Sequence, residues 1–366
     1  MSIHSMSAPP SPTDFTEPQV PPRVQPFWHE DGDIILSVES KDNATEQLFK
    51  VHKLFLVFKS PVFRDMIAVG REEEEQATPV VPLRDDSVDD VCALLRVIYE
   101  GFEVYGDTMP FDTALGILRL SHKYQMDSLR IAIIRLLKQS WPLNRQEYRS
   151  LWRYRPPGSR VLECVKLINT AWRTHTYQLL PTAFYELAVM SLSQDNILSS
   201  YLQELSAGDL VRLITGKDKM QRRFHSLLEG CVRDQDILSS ISIWQPEEEG
   251  ISIAMYRQTY SECGHCRHWS LVDTDDSVVH SCPEVFDAWR SIAAKHVFGG
   301  YLRLDDLCEN IIPSTFTGAG ACTPCAEWMV SILENKAKEI WWNIPTDFEL
   351  PGLDTVEYNE TSRNIF

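Results

Sequence analysis

Between Asp31 and Pro142 the apolar residues keep a strand rhythm in some stretches and a helical one in others, which constrains the fold more than any other feature. In DGDIILSVES, residues Ile34, Leu36 and Val38 fall on one face at period two, and Phe49 and Val51 resume that spacing in LFKVHK after the polar loop SKDNATEQ. Period two on both sides of a polar loop predicts a hairpin. The segment SPVFRDMI then predicts a short helix capped by Ser60, with Pro61 in its first turn and Phe63 facing the core. After the acidic run Glu72 to Glu75, a solvated loop, PVVPL reads as another strand. SVDDVCALLRVIYEG follows as a helix, with a Ser87/Asp90 capping-box pattern and Gly101 at its end. FDTALGILRLSHKYQMDSLRIAIIRLLKQSWP predicts a helical pair broken near Gln125 to Asp127 and stopped at Pro142.

Strands followed by a helical cluster make one small α+β domain over residues 30–140. Its blocks carry a resemblance. The string VHKLFLVFKSPVFRDM, with His52, Leu56, Ser60, Phe63 and Met66, resembles the central signature of the BTB/POZ domain. DGDIILSV, LLRVIYEG and LRLSHKYQMDSLR fall in the order of that family's first strand, middle helix and last helical pair. The wording of the blocks is most similar to BTB proteins numerous in mushroom-type fungi. The resemblance implies self-association, and it places Asp33 and Lys53 near a pocket at the dimer interface. On its own chemistry, the pair reads equally as two surface charges. His52, on a strand facing a helix, reads as a structural imidazole.

The flanks differ. Residues 1–29 hold seven of the chain's 21 prolines without an apolar period and read as a disordered leader. From 141 to 345 the chain is mainly helical with a cysteine-rich end, and 346–366 reads as an acidic tail. TGKDK around Gly216 tempts a phosphate-loop reading. Val211 stands where that motif needs its first glycine, and Asp218 stands where Ser or Thr must follow the lysine, so the reading fails.

A net charge of -17 opposes nucleic acid and anionic membrane surfaces. The start shows no secretory signal and no stretch is apolar enough to span a bilayer, so the expected location is intracellular, cytoplasmic or nuclear. There the nine cysteines are thiols or metal ligands rather than a disulfide framework, and the sequons at Asn43 and Asn359 carry no meaning.

CGHC at 263–266 is also the redox sequence of protein disulfide isomerases. A redox centre needs a helix directly after the pair, and CRHWSLVDTDDSVV is a poor one. A second pair repeats the form C-x-x-C-x-x-W at 322–328. Cys263, Cys266, Cys322 and Cys325 thus form a candidate set for one structural zinc, although the 55 residues between the pairs exceed a compact ribbon. His265, His268, His280, Cys282 and Cys308 are alternative ligands, and buried free thiols are the competing reading.

No hydrolase, metalloprotease or complete glycine-loop motif is present, so the chain reads as a non-enzymatic interaction protein. By resemblance its partners are a second copy of itself and other proteins, among them a cullin if the chain is a ubiquitin-ligase adaptor. The alternatives are a thiol-disulfide oxidoreductase using CGHC and a BTB-type transcriptional regulator.

Overall fold

The computed structural model describes residues 22–39, 46–69, 78–105, 109–152, 160–190, 200–223, 260–262, 269–272, 278–279 and 323–351. It divides into two compact units, Met1–Ile131 and Ala132–Phe366.

The first unit is built on a four-stranded sheet of order β1-β3-β2-β4, with β1 at Arg23–Trp28, β2 at Ile34–Glu39, β3 at Glu46–Val51 and β4 at Val80–Leu83. The expected hairpin is β2–β3, antiparallel with Leu36 opposite Phe49 and Ile34 opposite Val51. Both pairs are buried, as period two requires. β4 joins β2 in parallel.

β1 corrects the reading of residues 1–29 as leader throughout. Arg23–Trp28 pairs with β3 and buries Phe27, whereas residues 1–21 lie outside the described residues. Its apolar residues, Val24, Phe27 and Trp28, are too few to show a period among prolines.

Helices α1 (Lys53–Lys59), α2 (Pro61–Val69), α3 (Val88–Glu100) and α4 (Phe111–Lys123) follow, and the division between the units falls within α5 (Asp127–Ser140). Caps behave as the sequence predicts. Ser60 Oγ accepts the Phe63 N–H at 3.0 Å and Ser87 Oγ accepts that of Asp90 at 3.0 Å. Gly101 ends α3 at φ 84, a conformation that suits glycine. The capping box is incomplete in one respect: the Asp90 carboxylate takes two N–H groups of Arg119 on α4, at 2.8 and 3.0 Å. Phe63 is buried and stacks on Tyr124 at 4.5 Å. Tyr124 in turn donates its hydroxyl to Asp86, and burial together with that carboxylate pushes its phenol far above the ordinary range.

The second unit is mainly helical. It contains α6 (Arg145–Trp152), α7 (Val161–Arg173), α8 (Leu180–Ala188), a helix over residues 207–223 (α9) and the long α10 (Thr323–Asp347). Its core closes on the end of α10. Trp341 lies 4.9 Å from Tyr148 and 5.0 Å from Tyr185, and its indole N–H donates to the Leu143 carbonyl at 2.7 Å. Phe348, Leu350 and Asp347 are also buried, so the core reaches past residue 346, where an acidic tail was expected to begin. The Asp347 carboxylate there receives two N–H groups of Arg223, each at 2.9 Å.

Gly216 and Lys217 of TGKDK lie inside α9. A Cβ at Gly216 would come within 2.3 Å of the Phe348 ring, and the Lys217 ammonium donates to the Met190 carbonyl at 2.5 Å. The glycine is there for helix packing, consistent with rejection of the phosphate-loop reading. A small antiparallel sheet, β5 (Tyr260–Glu262), β6 (Trp269–Val272) and β7 (Val278–Val279), was not anticipated as such. Among the described residues no helix is long and apolar enough to cross a membrane.

Candidate interaction surface

The helix that the sequence rhythm missed is α1. Its sequence KLFLVFK holds five consecutive apolar residues, so no polar position marks a helical period. Only Leu56 is buried, whereas Leu54 is 72% and Phe58 80% exposed. Residues four apart share one helix face, so α1 presents an apolar ridge to solvent. Lys53 and Lys59 stand at its two ends.

What holds that ridge in place is the pair singled out from the sequence. The Asp33 carboxylate accepts the backbone N–H of Lys53, the first residue of α1, at 2.7 Å, and its other oxygen lies 3.3 Å from the Lys53 ammonium. The first turn of a helix has N–H groups without partners and a partial positive charge, so a carboxylate there anchors α1 to β2. His52, at the N-cap, makes no side-chain cap of its own. Instead the Tyr99 hydroxyl accepts its backbone N–H at 2.9 Å and hydrogen-bonds its Nδ1 at 2.9 Å, while Nε2 stands 3.3 Å from Asp31. His52 is therefore a fastener between α1, α3 and the β1–β2 turn, consistent with the structural role expected of it. The hydrogen bond to His52, foremost, holds the exposed Asp31 carboxyl below its ordinary range. Burial raises the Tyr99 phenol. Rings complete the fastening: Phe55 packs on Tyr99 at 4.9 Å and His29 stacks on it at 5.0 Å.

Strands, caps and the helical cluster thus occur in the order that the sequence blocks suggested, and comparison with protein families agrees: residues 27–140 match the BTB/POZ domain. This segment is a BTB/POZ domain. A comparison with curated proteins gives no match. A BTB domain is a protein–protein interaction fold, which is the use the α1 ridge suggests on its own chemistry. Asp33 and Lys53 are side by side in this BTB domain, both half-exposed. The signal for Leu54 and Phe58 was the unbroken apolar run itself.

Of the candidate metal ligands, Cys263, Cys266 and Cys322 lie outside the described residues, and Cys325 lies on α10 with its side chain outside them. Two other thiols are described. Cys164 is fully buried on α7, and its burial pushes the thiol well above the ordinary range, making it a neutral core residue. Cys92 on α3 is half-buried and is shifted in the same direction, chiefly by burial.

Strand β6 bears on the redox reading. A thioredoxin-type centre requires a helix directly after CGHC, whereas Trp269–Val272, starting three residues after Cys266, is extended and pairs with β5.

Proposed function

We propose that the chain is a non-enzymatic adaptor that self-associates through α1 of its BTB domain and brings other proteins together, with a cullin-based ubiquitin ligase as the assembly it serves. The observation that carries the self-association is the exposed ridge of Leu54 and Phe58 on a helix fastened by Asp33 and Tyr99. An apolar ridge held at fixed orientation loses little freedom when a partner covers it, so its burial goes largely into binding. The sheet offers a poorer route. Both edge strands carry a proline, Pro26 in β1 and Pro82 in β4, which lacks the N–H that an added strand would use. The net charge of -17 favours this reading over a DNA-binding regulator. The strand after CGHC counts against the oxidoreductase reading.

Light scattering on the full chain tests the first step. The wild type is expected to be a dimer at tens of micromolar, and Leu54→Glu with Phe58→Glu a folded monomer with an intact BTB core, because both side chains face solvent in the single chain; its melting temperature should fall only by what association added. A wild type that stays monomeric would sink the self-association. The adaptor step is checked separately, by whether immobilised full chain retains the amino-terminal domain of a cullin. No retention removes the ligase role and leaves the interaction module.

A further inference from the structure

We infer that α1 packs antiparallel against α1 of a second copy about a two-fold axis, with Lys59 of each copy pairing with Asp31 of the other. This arrangement rests on the self-association through α1 proposed above and gives it a direction.

The apolar ridge alone sets no direction. Leu54 and Phe58 are four residues, about 6 Å, apart along the helix axis, and two such ridges cover each other in either sense. The ends of α1 differ in charge. At its amino-terminal end lies the turn between β1 and β2, with Glu30, Asp31 and Asp33. Asp31 is 86% exposed and stands 3.3 Å from Nε2 of His52, the N-cap of α1. A carboxylate has acceptor capacity beyond that one contact. Asp33 is less open, since Lys53 engages both of its oxygens. Even counting Lys50 and Lys53, this end is net negative.

The carboxy-terminal end carries Lys59, the last residue of α1, and Arg64, which donates to the Val57 carbonyl at 3.3 Å. Even counting Asp65 beside Arg64, it is net positive. Among the described residues Lys59 has no carboxylate at ion-pair distance. His52 and Lys59 are seven residues apart, two helical turns, so Asp31 and Lys59 border the same side of the ridge.

A parallel pairing would set Lys59 against Lys59 and Asp31 against Asp31. An antiparallel pairing centred on the ridge lays Leu54 over Phe58 and brings Lys59 to the other copy's first turn, beside Asp31. The contact then occurs twice, as a two-fold axis requires. At the roughly 8–10 Å separation of packed helix axes, a lysine side chain spans the gap.

Sedimentation equilibrium on the full chain tests the pairing by charge reversal. Lys59→Glu and Asp31→Lys should each weaken the dimer about tenfold or more, because each change turns two attractions into two repulsions. An equimolar mixture of the two variants should recover the wild-type affinity within about threefold, since in the mixed dimer the two reversed charges meet each other and the two unaltered ones do likewise. Neither loss of the His52 contact in Asp31→Lys nor misfolding of either variant would produce that recovery. Unchanged affinity in Lys59→Glu, or a mixture no tighter than its components, would overturn the arrangement. Self-association through α1 would still stand if Leu54→Glu with Phe58→Glu dissociates the dimer, whereas a monomeric wild type removes both.

Discussion

The unit that ends at Ile131 and the unit that begins at Ala132 close their cores over different distances in the chain. In the first, the long-range hydrogen bonds join neighbours in the fold's own order, as where Ser60 on the α1–α2 corner donates to the Tyr124 carbonyl 64 residues on, at 2.5 Å. In the second, Trp341 reaches back 198 residues to Leu143. On loop-closure entropy alone the longer span costs only about 1 kcal/mol more, less than burying one aromatic ring returns. The difference is therefore affordable for stability, but it changes what can be read. A core closed by neighbours leaves its rhythm in one stretch of sequence. A core closed by a distant helix does not.

The largest effect should follow removal of the distant anchor. Trp341→Ala deletes a fully buried ring that touches two tyrosines and donates a hydrogen bond, at a cost near the upper end of about 3–5 kcal/mol. Hydrogen exchange read by segment should accelerate in α6, α8 and α9 while β2, β3, α2, α3 and α4 stay protected. Loss of protection in both units would show that the division between them is not energetic.

Phe63→Ala is the mirror experiment in the BTB unit. The ring is buried and stacked on Tyr124, so about 3–4 kcal/mol should be lost and exchange should quicken in α2, α4 and the sheet. A loss under about 1 kcal/mol would contradict the packing of that helix face.

Gly216→Ala sharpens the comparison with a smaller effect, because local and tertiary rules disagree on its sign. Within an isolated helix the change should stabilise by about 1 kcal/mol. In this molecule the new methyl would stand 2.3 Å from the Phe348 ring, so overpacking should win and denaturant melts should show about 1–2 kcal/mol lost. A stabilised variant would mean that α10 does not seat against α9.

The smallest effect is acid sensitivity of the α10 attachment. Burial tends to raise the Glu334 carboxyl, but Arg145 and Arg149 overcome it and hold the group below its ordinary range. A lowered carboxyl contributes stability above its unfolded value and loses it as pH falls through the folded one. Acid titration of the second unit's melting should therefore show a component below the ordinary glutamate range that is absent in Glu334→Gln. Identical curves for the two proteins would remove the ion pair from the account.

Sequence alone determined the BTB unit to a large degree, because its signals are local. Period two is set by the alternation of side chains across a sheet, and Ser60, Ser87 and Gly101 mark helix ends through bonds to residues a few positions away. It also brought Asp33 and Lys53 into view, though by resemblance rather than chemistry. That Asp33 anchors a helix at all depended on α1, which has no readable period because its apolar ridge faces outward. Tertiary structure alone decided that ridge's exposure, the strand at Arg23–Trp28, the role of Gly216 and the seat of Trp341. Each depends on which surface arrives from elsewhere in the chain to cover a residue or leave it bare. An apolar run, a glycine or a tryptophan reads alike in either case, since burial is a property of neighbours in space and sequence spacing records only neighbours along the chain.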